Sequence, residues 1–583
     1  MRALKILLPV VLVISVSVMQ ADTILVPSQQ PTIQAGIDAA VDGDTVLVAP
    51  YTYTGPGNHS IEFDGKAIVV MSSDGPEVTI IDCQGSYRGF YFDQNATSAS
   101  VLDGFTIQNG SETDGGGIKC LNADPTIRNC VITACYSYRD GGAIHLLNVS
   151  PTITNCTIEG NTAVEDGGGI YVEGGFTVID NCTITGNNSV SGGGIALRNA
   201  VPTISNCTIT DNSADNLDGG GIYAYASKPD ITDCTFEGNS ADDDGGGIWI
   251  NISTGSTGPT ISNCTFKDNS ANGRGGGIHY DNIVPQYTYA FIWGCRFTGN
   301  ISGSGGGGLY LKDSKVSVYN CLFDSNVTTI DFREGGGIYV HQCDDALIYS
   351  CTFVYNDAWT GGGIYSHYSG TTIFNCIVYW NIASLGSSIY YYPDSPTVTY
   401  SDIEGGWTGT GNIDTDPQFA EEIDFHLDAN SLCVDAGDPS IFDGSQPPGL
   451  GGIRSDMGAY GGSQNGNWLE GVFDLFLYPT GPTTVTVGDT IFFDSMFWNS
   501  TDNSASGDYW LSVVLPNLNE ILLPEFVLNH PNPWHGSTPA HSTTTLPNEL
   551  RALFPGTFEV VARIGVYPNL VVDEESFEVE ISP

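Results

Sequence analysis

Positive charge is scarce in this chain: 18 lysines and arginines stand against 66 aspartates and glutamates in 583 residues, a formal net charge of −48. A surface of that sign repels phosphate backbones and anionic membranes, so nucleic acid is excluded as a partner. After the apolar run Ile6 to Val18 no segment is long and apolar enough to span a bilayer as a helix. Helical spacing is missing from the middle of the chain, no Cys-x-x-Cys pair offers a zinc site, and fifteen cysteines, an odd number, cannot all pair. Charged residues make up 14% and hydrophobic residues 41%, a balance that marks an ordered chain.

What is present is repetition. The clearest copy of the unit is GGGIYVEGGFTVIDNCTITGN, from Gly167 to Asn187. Ten cysteines recur 25 to 31 residues apart: Cys130, Cys156, Cys182, Cys207, Cys234, Cys264, Cys295, Cys321, Cys351 and Cys376. An aliphatic residue follows each glycine run, as at Ile118, Ile144, Ile170, Ile248, Leu309 and Ile364. Self-similarity at this period is the mark of a solenoid. Within each copy the segments are short, β-branched and bounded by Gly, Asn and Asp, so three short strands per copy are predicted, stacked as a parallel β-helix.

Two asparagine columns flank the cysteines. Asn129, Asn155, Asn181, Asn206, Asn263, Asn320 and Asn375 precede them, where left-handed backbone is expected. Asn161, Asn187, Asn212, Asn239, Asn269, Asn300, Asn326, Asn356 and Asn381 follow five residues later, and read as structural ladders. The cysteines themselves read as inward thiols. Stacked side chains lie about 4.8 Å apart, whereas a disulfide needs Cβ atoms about 3.5–4.5 Å apart.

Taken in order, residues 1–21 have Arg2 and Lys5 ahead of an apolar run, as in a secretory signal. Residues 22–60 read strand, helix, strand and serve as an N-terminal cap, with Ile33, Ile37 and Ala40 on one helical face. Residues 61–400 form the β-helix, of about 12 coils by the repeat count, with Phe105 in the cysteine slot of an early coil. Residues 401–466 form a C-terminal cap, whose Asp414, Asp416, Asp435, Asp438, Asp443 and Asp456 are either calcium ligands or solvated turn residues. Residues 467–583 carry short strands at regular spacing and suggest an immunoglobulin-like β-sandwich, with HPNPWHG at His530 to Gly536 read as a loop.

The opening TILVPSQQPTIQAGIDAAVDGDTVLVAP resembles the start of secreted right-handed β-helix proteins of the pectate-lyase-like superfamily. The GGGIY and CTFxxNxA elements resemble the middle repeats of bacterial polymorphic outer membrane proteins, which are surface adhesins and autotransporters. The resemblance covers Asp22 to Gly462 and implies an all-β fold, a right-handed parallel β-helix, and a secreted or cell-surface location. It does not choose among lyases, hydrolases, epimerases and adhesins. The closing transmembrane barrel of an autotransporter is not in this sequence.

With Ile170 and its equivalents inward, strand alternation sends the next residue outward. That column includes Tyr171, Tyr223, Trp249, His279, Tyr310, Tyr339, Tyr365 and Tyr390, and a second outward column includes Arg198, Asp281, Lys312, His341 and His367. Rings beside polar groups suit a polysaccharide or cell-surface ligand, which gives the first expectation: adhesion or glycan binding without catalysis. A plain stabilising tyrosine ladder is the alternative. Glu173 and Asp281 fall four coils, or about 19 Å, apart, too far to act as a glycosidase pair. The remaining enzyme reading is a calcium-dependent polysaccharide lyase, with Arg198 or Lys312 as base and Ca²⁺ held by Asp114, Asp140, Asp166, Asp218 and Asp244, which each precede a glycine run. The third reading is a structural surface protein whose partner is another protein.

Overall fold

The computed structural model describes residues 21–460 apart from 94–95, 253–257, 283–288, 330–333, 344, 421–424 and 440–453, and beyond these the backbone of the strands from Phe473 onward. The secretory-signal expectation at 1–21 falls, save for Ala21, outside the described residues, as does Asp443. The chain divides into two compact units, residues 1–208 and 209–583.

In the first unit Thr23–Val26, Ile33–Ala39 and Thr45–Val48 are strand, helix and strand. Thr32 caps the helix, its hydroxyl accepting from the Ala35 amide at 3.2 Å, and Ile33 and Ile37 are fully buried. The solenoid coils follow, and from Phe90 on each complete coil has four strands, not three. One coil runs Ile170–Glu173, Val178–Asp180, Thr183–Thr185 and Asn188–Ser189. The fourth strand is only two residues long, and a two-residue run carries no readable alternation. Every pairing between coils is parallel and in register, as in Ile144 to Ile170 to Ile195. In the early coil, the Phe105 carbonyl accepts from the Val131 amide as that of Cys130 accepts from Thr157, so Phe105 does hold the cysteine slot.

In the second unit the same register links Ile222 to Ile248 to Ile278 and on to Ile389. The solenoid has about 14 turns, more than the repeat count, because its first turns lack the glycine run and cysteine. Inside it Phe236, Phe266, Phe297, Phe323 and Phe353 stack at 4.6–4.8 Å with rings within 7° of parallel. After the last coil, Asp414, Asp416 and Asp456 each accept a backbone amide, the role of turn residues. Strands from Phe473 to Ser582 pair in two sheets, mostly antiparallel. Trp534–Thr538 is one of these strands, so that part of the HPNPWHG segment is not a loop.

All fifteen cysteines are free and buried. Asn129, Asn155, Asn181 and Asn206 have φ between 50° and 54°, the left-handed bend that turns the chain into the thiol slot. The second asparagine column is a buried amide ladder. The Oδ1 of Asn269 accepts from both the amide and Nδ2 of Asn239, at 3.1 and 2.9 Å, while its Nδ2 donates to the Phe236 carbonyl and to Asn300 Oδ1, each at 2.9 Å. No helix among the described residues is long and apolar enough to cross a membrane.

Asn269→Leu strands two donors on Asn239 and the Phe236 carbonyl inside the core. At about 1–3 kcal/mol for each buried polar group left unpaired, the variant should lose several kcal/mol in urea unfolding. Replacing the exposed Asn272 by leucine should change the midpoint little.

Candidate functional site

The turn into the first strand of each coil shapes the site. Gly167 has φ +69°, and a Cβ there would lie 2.5 Å from the Ile170 carbonyl; at Gly168 it would lie 2.4 Å from the Asn188 carbonyl in the fourth strand. Only glycine lets the chain turn this tightly against its neighbour. The residue before the run therefore sits at a fixed edge beside the first strand, five positions ahead of the ring on that strand.

This edge is where the aspartates stack. Asp140 accepts from the Asp166 amide at 3.2 Å, Asp218 from the Asp244 amide at 3.1 Å, and Asp244 from the Arg274 amide at 2.6 Å. Each carboxylate thus caps the next turn. Asp114 also meets Lys119 at 2.9 Å and Arg139 at 2.7 Å, and Asp166 pairs with Arg198. Ligand atoms of Asp114, Asp140 and His145 lie within 4.8 Å of one another, as do those of Asp218, Asp243 and Asp244. Asp243 escaped the sequence reading, although the Asp242 to Asp244 run marks it. Burial pushes Asp140 up to about 6 and Asp218 up to about 7.

The first outward column corrects the expectation of a solvated aromatic face. Its side chains do point away from the core, yet His145 and Tyr171 are 3% and 4% exposed in the first unit, and His279, Tyr310, Tyr339 and Tyr365 between 1% and 5% in the second. Tyr223 is also buried, while Trp249 and Tyr390 are half-buried. Coil spacing brings successive rings into contact, with centroids 4.7 to 6.2 Å apart from Tyr223 to Tyr390. The edge residues act on them from one side: the Arg274 guanidinium lies 5.1 Å over the Tyr310 ring, and the Glu334 carboxylate raises the pKa of the Tyr339 phenol. Arg274 and Glu334 were missed in the sequence. They stand five residues before His279 and Tyr339, where other coils have aspartate.

The second column is the more open one. Lys312 pairs with Asp281 at 3.1 Å and Asp313 at 3.5 Å. Burial pulls its ammonium down, but these two carboxylates outweigh it and hold the pKa above the ordinary lysine range. Arg198 is committed to Asp166. Neither candidate base is poised to lose a proton. His279 Nδ1 approaches Asp244 at 3.2 Å, and burial pushes this imidazole down to about 3, so it stays neutral.

Toward the end of the solenoid the column converges. His341 and His367 are register partners, Tyr339 lies two residues before His341 on the same face, and the three polar atoms close a triangle. Beside it stand Tyr368 and Tyr392, 51% and 54% exposed, with ring centroids 6.0 Å apart and nearly perpendicular. The Tyr368 ring lies 4.5 Å from that of His367. Tyr368 has φ +50°, in the position that Ala226, Asp313 and Gln342 occupy in other coils of this unit. Alternation could not reveal it, because it sits at the bend after the strand.

The family model described as right handed beta helix region matches residues 142–282 and 274–402. With the in-register parallel coils, this supports the β-helix family. No curated protein matches the chain. Among solved structures, a CARDB domain from Pyrococcus furiosus in complex with di-metal ions aligns at 15% identity over 19% of this chain and 96% of its own, with a TM-score of 0.15.

The raised carboxyls make stability pH-dependent. Asp140 and Asp218 keep their protons to higher pH than an unfolded aspartate, so the stability they lend is complete below about pH 4 and is lost as pH rises through 6 and 7. Asp218→Asn should flatten this slope and raise the melting temperature at alkaline pH, measured by thermal melts across the range. A slope unchanged by the substitution would rule out Asp218 as its source.

Proposed function

We propose that the chain is an exported, surface-held or extracellular β-helix that binds a glycan along the second outward column, at Lys312, His341, His367, Tyr368 and Tyr392. One observation carries this reading. Tyr368 is a bulky residue in left-handed backbone, and although its ring touches that of His367 it remains half exposed. Left-handed backbone costs a residue of this kind about 1–2 kcal/mol, a cost that asparagine largely escapes. Burial does not offset that strain here, and strain of this sort gathers at binding sites. Two perpendicular rings offer apolar faces to sugar C–H groups, and the imidazoles and the Lys312–Asp281 pair supply hydrogen bonds. Export rests on the amino-terminal sequence.

The lyase reading is the weaker one. It needs a lysine or arginine that can take a proton, and both candidates are held charged by aspartates. Binding to another protein through the same exposed tyrosines would appear as capture without glycan.

The test is a glycan panel of neutral and uronate polysaccharides, read for both binding and shortened, unsaturated products. Tyr392→Ala and Tyr368→Asn should each weaken binding on the order of tenfold or more, in line with loss of an aromatic anchor. Tyr368→Asn should at the same time stabilise the fold by about 1 kcal/mol. Binding that survives both substitutions sinks the proposal, and chelator-sensitive cleavage products would replace it with the lyase.

A further inference from the structure

The geometry points to a divalent transition-metal site, of the zinc or copper(II) class, at Tyr339, His341 and His367. The inference goes beyond glycan binding and does not depend on it. Tyr339 Oη lies 3.3 Å from His341 Nδ1 and 3.1 Å from His367 Nδ1, and the two Nδ1 atoms are 3.1 Å apart. Imidazole and oxygen ligands of zinc sit at about 2.0–2.1 Å, so the edges of a tetrahedral donor set are about 3.3 Å. The triangle matches one face of that tetrahedron on all three sides.

A cation at the centre of the face satisfies all three atoms together.

The surroundings fit such a site. His341 and His367 stand opposite each other on adjacent parallel strands, and Tyr339 is two residues before His341, so the backbone ladder fixes all three Cβ positions. Both imidazoles are half-buried, which leaves the fourth position open to water or a ligand atom. Two imidazoles and one oxygen favour zinc, copper or nickel over calcium or magnesium. The acidic groups along the edge are different in kind, because their carboxylates already cap turn amides.

The experiment strips the full chain with chelator and titrates it with Zn²⁺ against a chromophoric competitor, with bound metal counted by elemental analysis. One ion per chain is expected. His341→Gln and His367→Gln should each weaken binding on the order of 100-fold, and Tyr339→Phe on the order of 10-fold. Asp243→Asn should leave the affinity unchanged, and circular dichroism verifies that each variant is folded. Cu²⁺ loaded in place of zinc should show coupling to two nitrogens by electron paramagnetic resonance, lost in the double histidine variant. No zinc retained by the wild-type chain, or equal affinity in the double variant, overturns the proposal. Zinc bound by a protein that binds no sugar upholds the metal site and removes only the glycan reading.

Discussion

Parallel strands stacked in register bring each residue against its own counterpart one coil away, at about 4.8 Å. Every column of the solenoid must therefore tolerate contact with itself. Isoleucine on isoleucine, phenylalanine on phenylalanine and amide on amide satisfy this directly, and they fill the interior. Aspartate on aspartate does not. Along the glycine edge the conflict is met in three ways: a cation from the next coil at Asp114, an ion pair with the second column at Asp166, and a pKa raised by burial at Asp140 and Asp218. The same rule sets the outward face, where rings that repeat every coil close over one another and leave the surface.

That constraint explains what could be read from the residues. Cysteine, isoleucine and asparagine columns announce themselves because their chemistry repeats in every coil. The direction of Tyr310 and its neighbours was also readable, since alternation fixes it. Their burial was not, because it depends on what the neighbouring coils bring against each ring, as the next ring in the column and, at Tyr310, the Arg274 guanidinium do. The fourth strand was invisible for lack of length. Tyr339, His341 and His367 lay in the two outward columns and were readable, whereas Tyr368 stands at a bend that other coils fill with Ala226, Asp313 or Gln342. A residue that appears once in a repeated position leaves no periodic signal.

The proposed site is accordingly local. It occupies the last coils of the solenoid, where the second column changes from paired charges at Asp281 and Lys312 to imidazoles and then to exposed tyrosine. Earlier coils keep the scaffold. This division suits a protein in which most of the length sets position and reach, while a short stretch makes contact.

The thiol column bears on how such a chain reaches its folded state. Unfolded, it would present fifteen sulfhydryls in a single flexible strand, and any oxidant could join them in wrong combinations. Folded, each is sealed in the interior, the column cysteines with their Sγ turned to backbone carbonyls. In a linear stack each coil needs only its predecessor as a template. The interval during which a given sulfur stays reactive is then the time to lay down one more turn, and the geometry of the repeat acts as a kinetic shield against crosslinking.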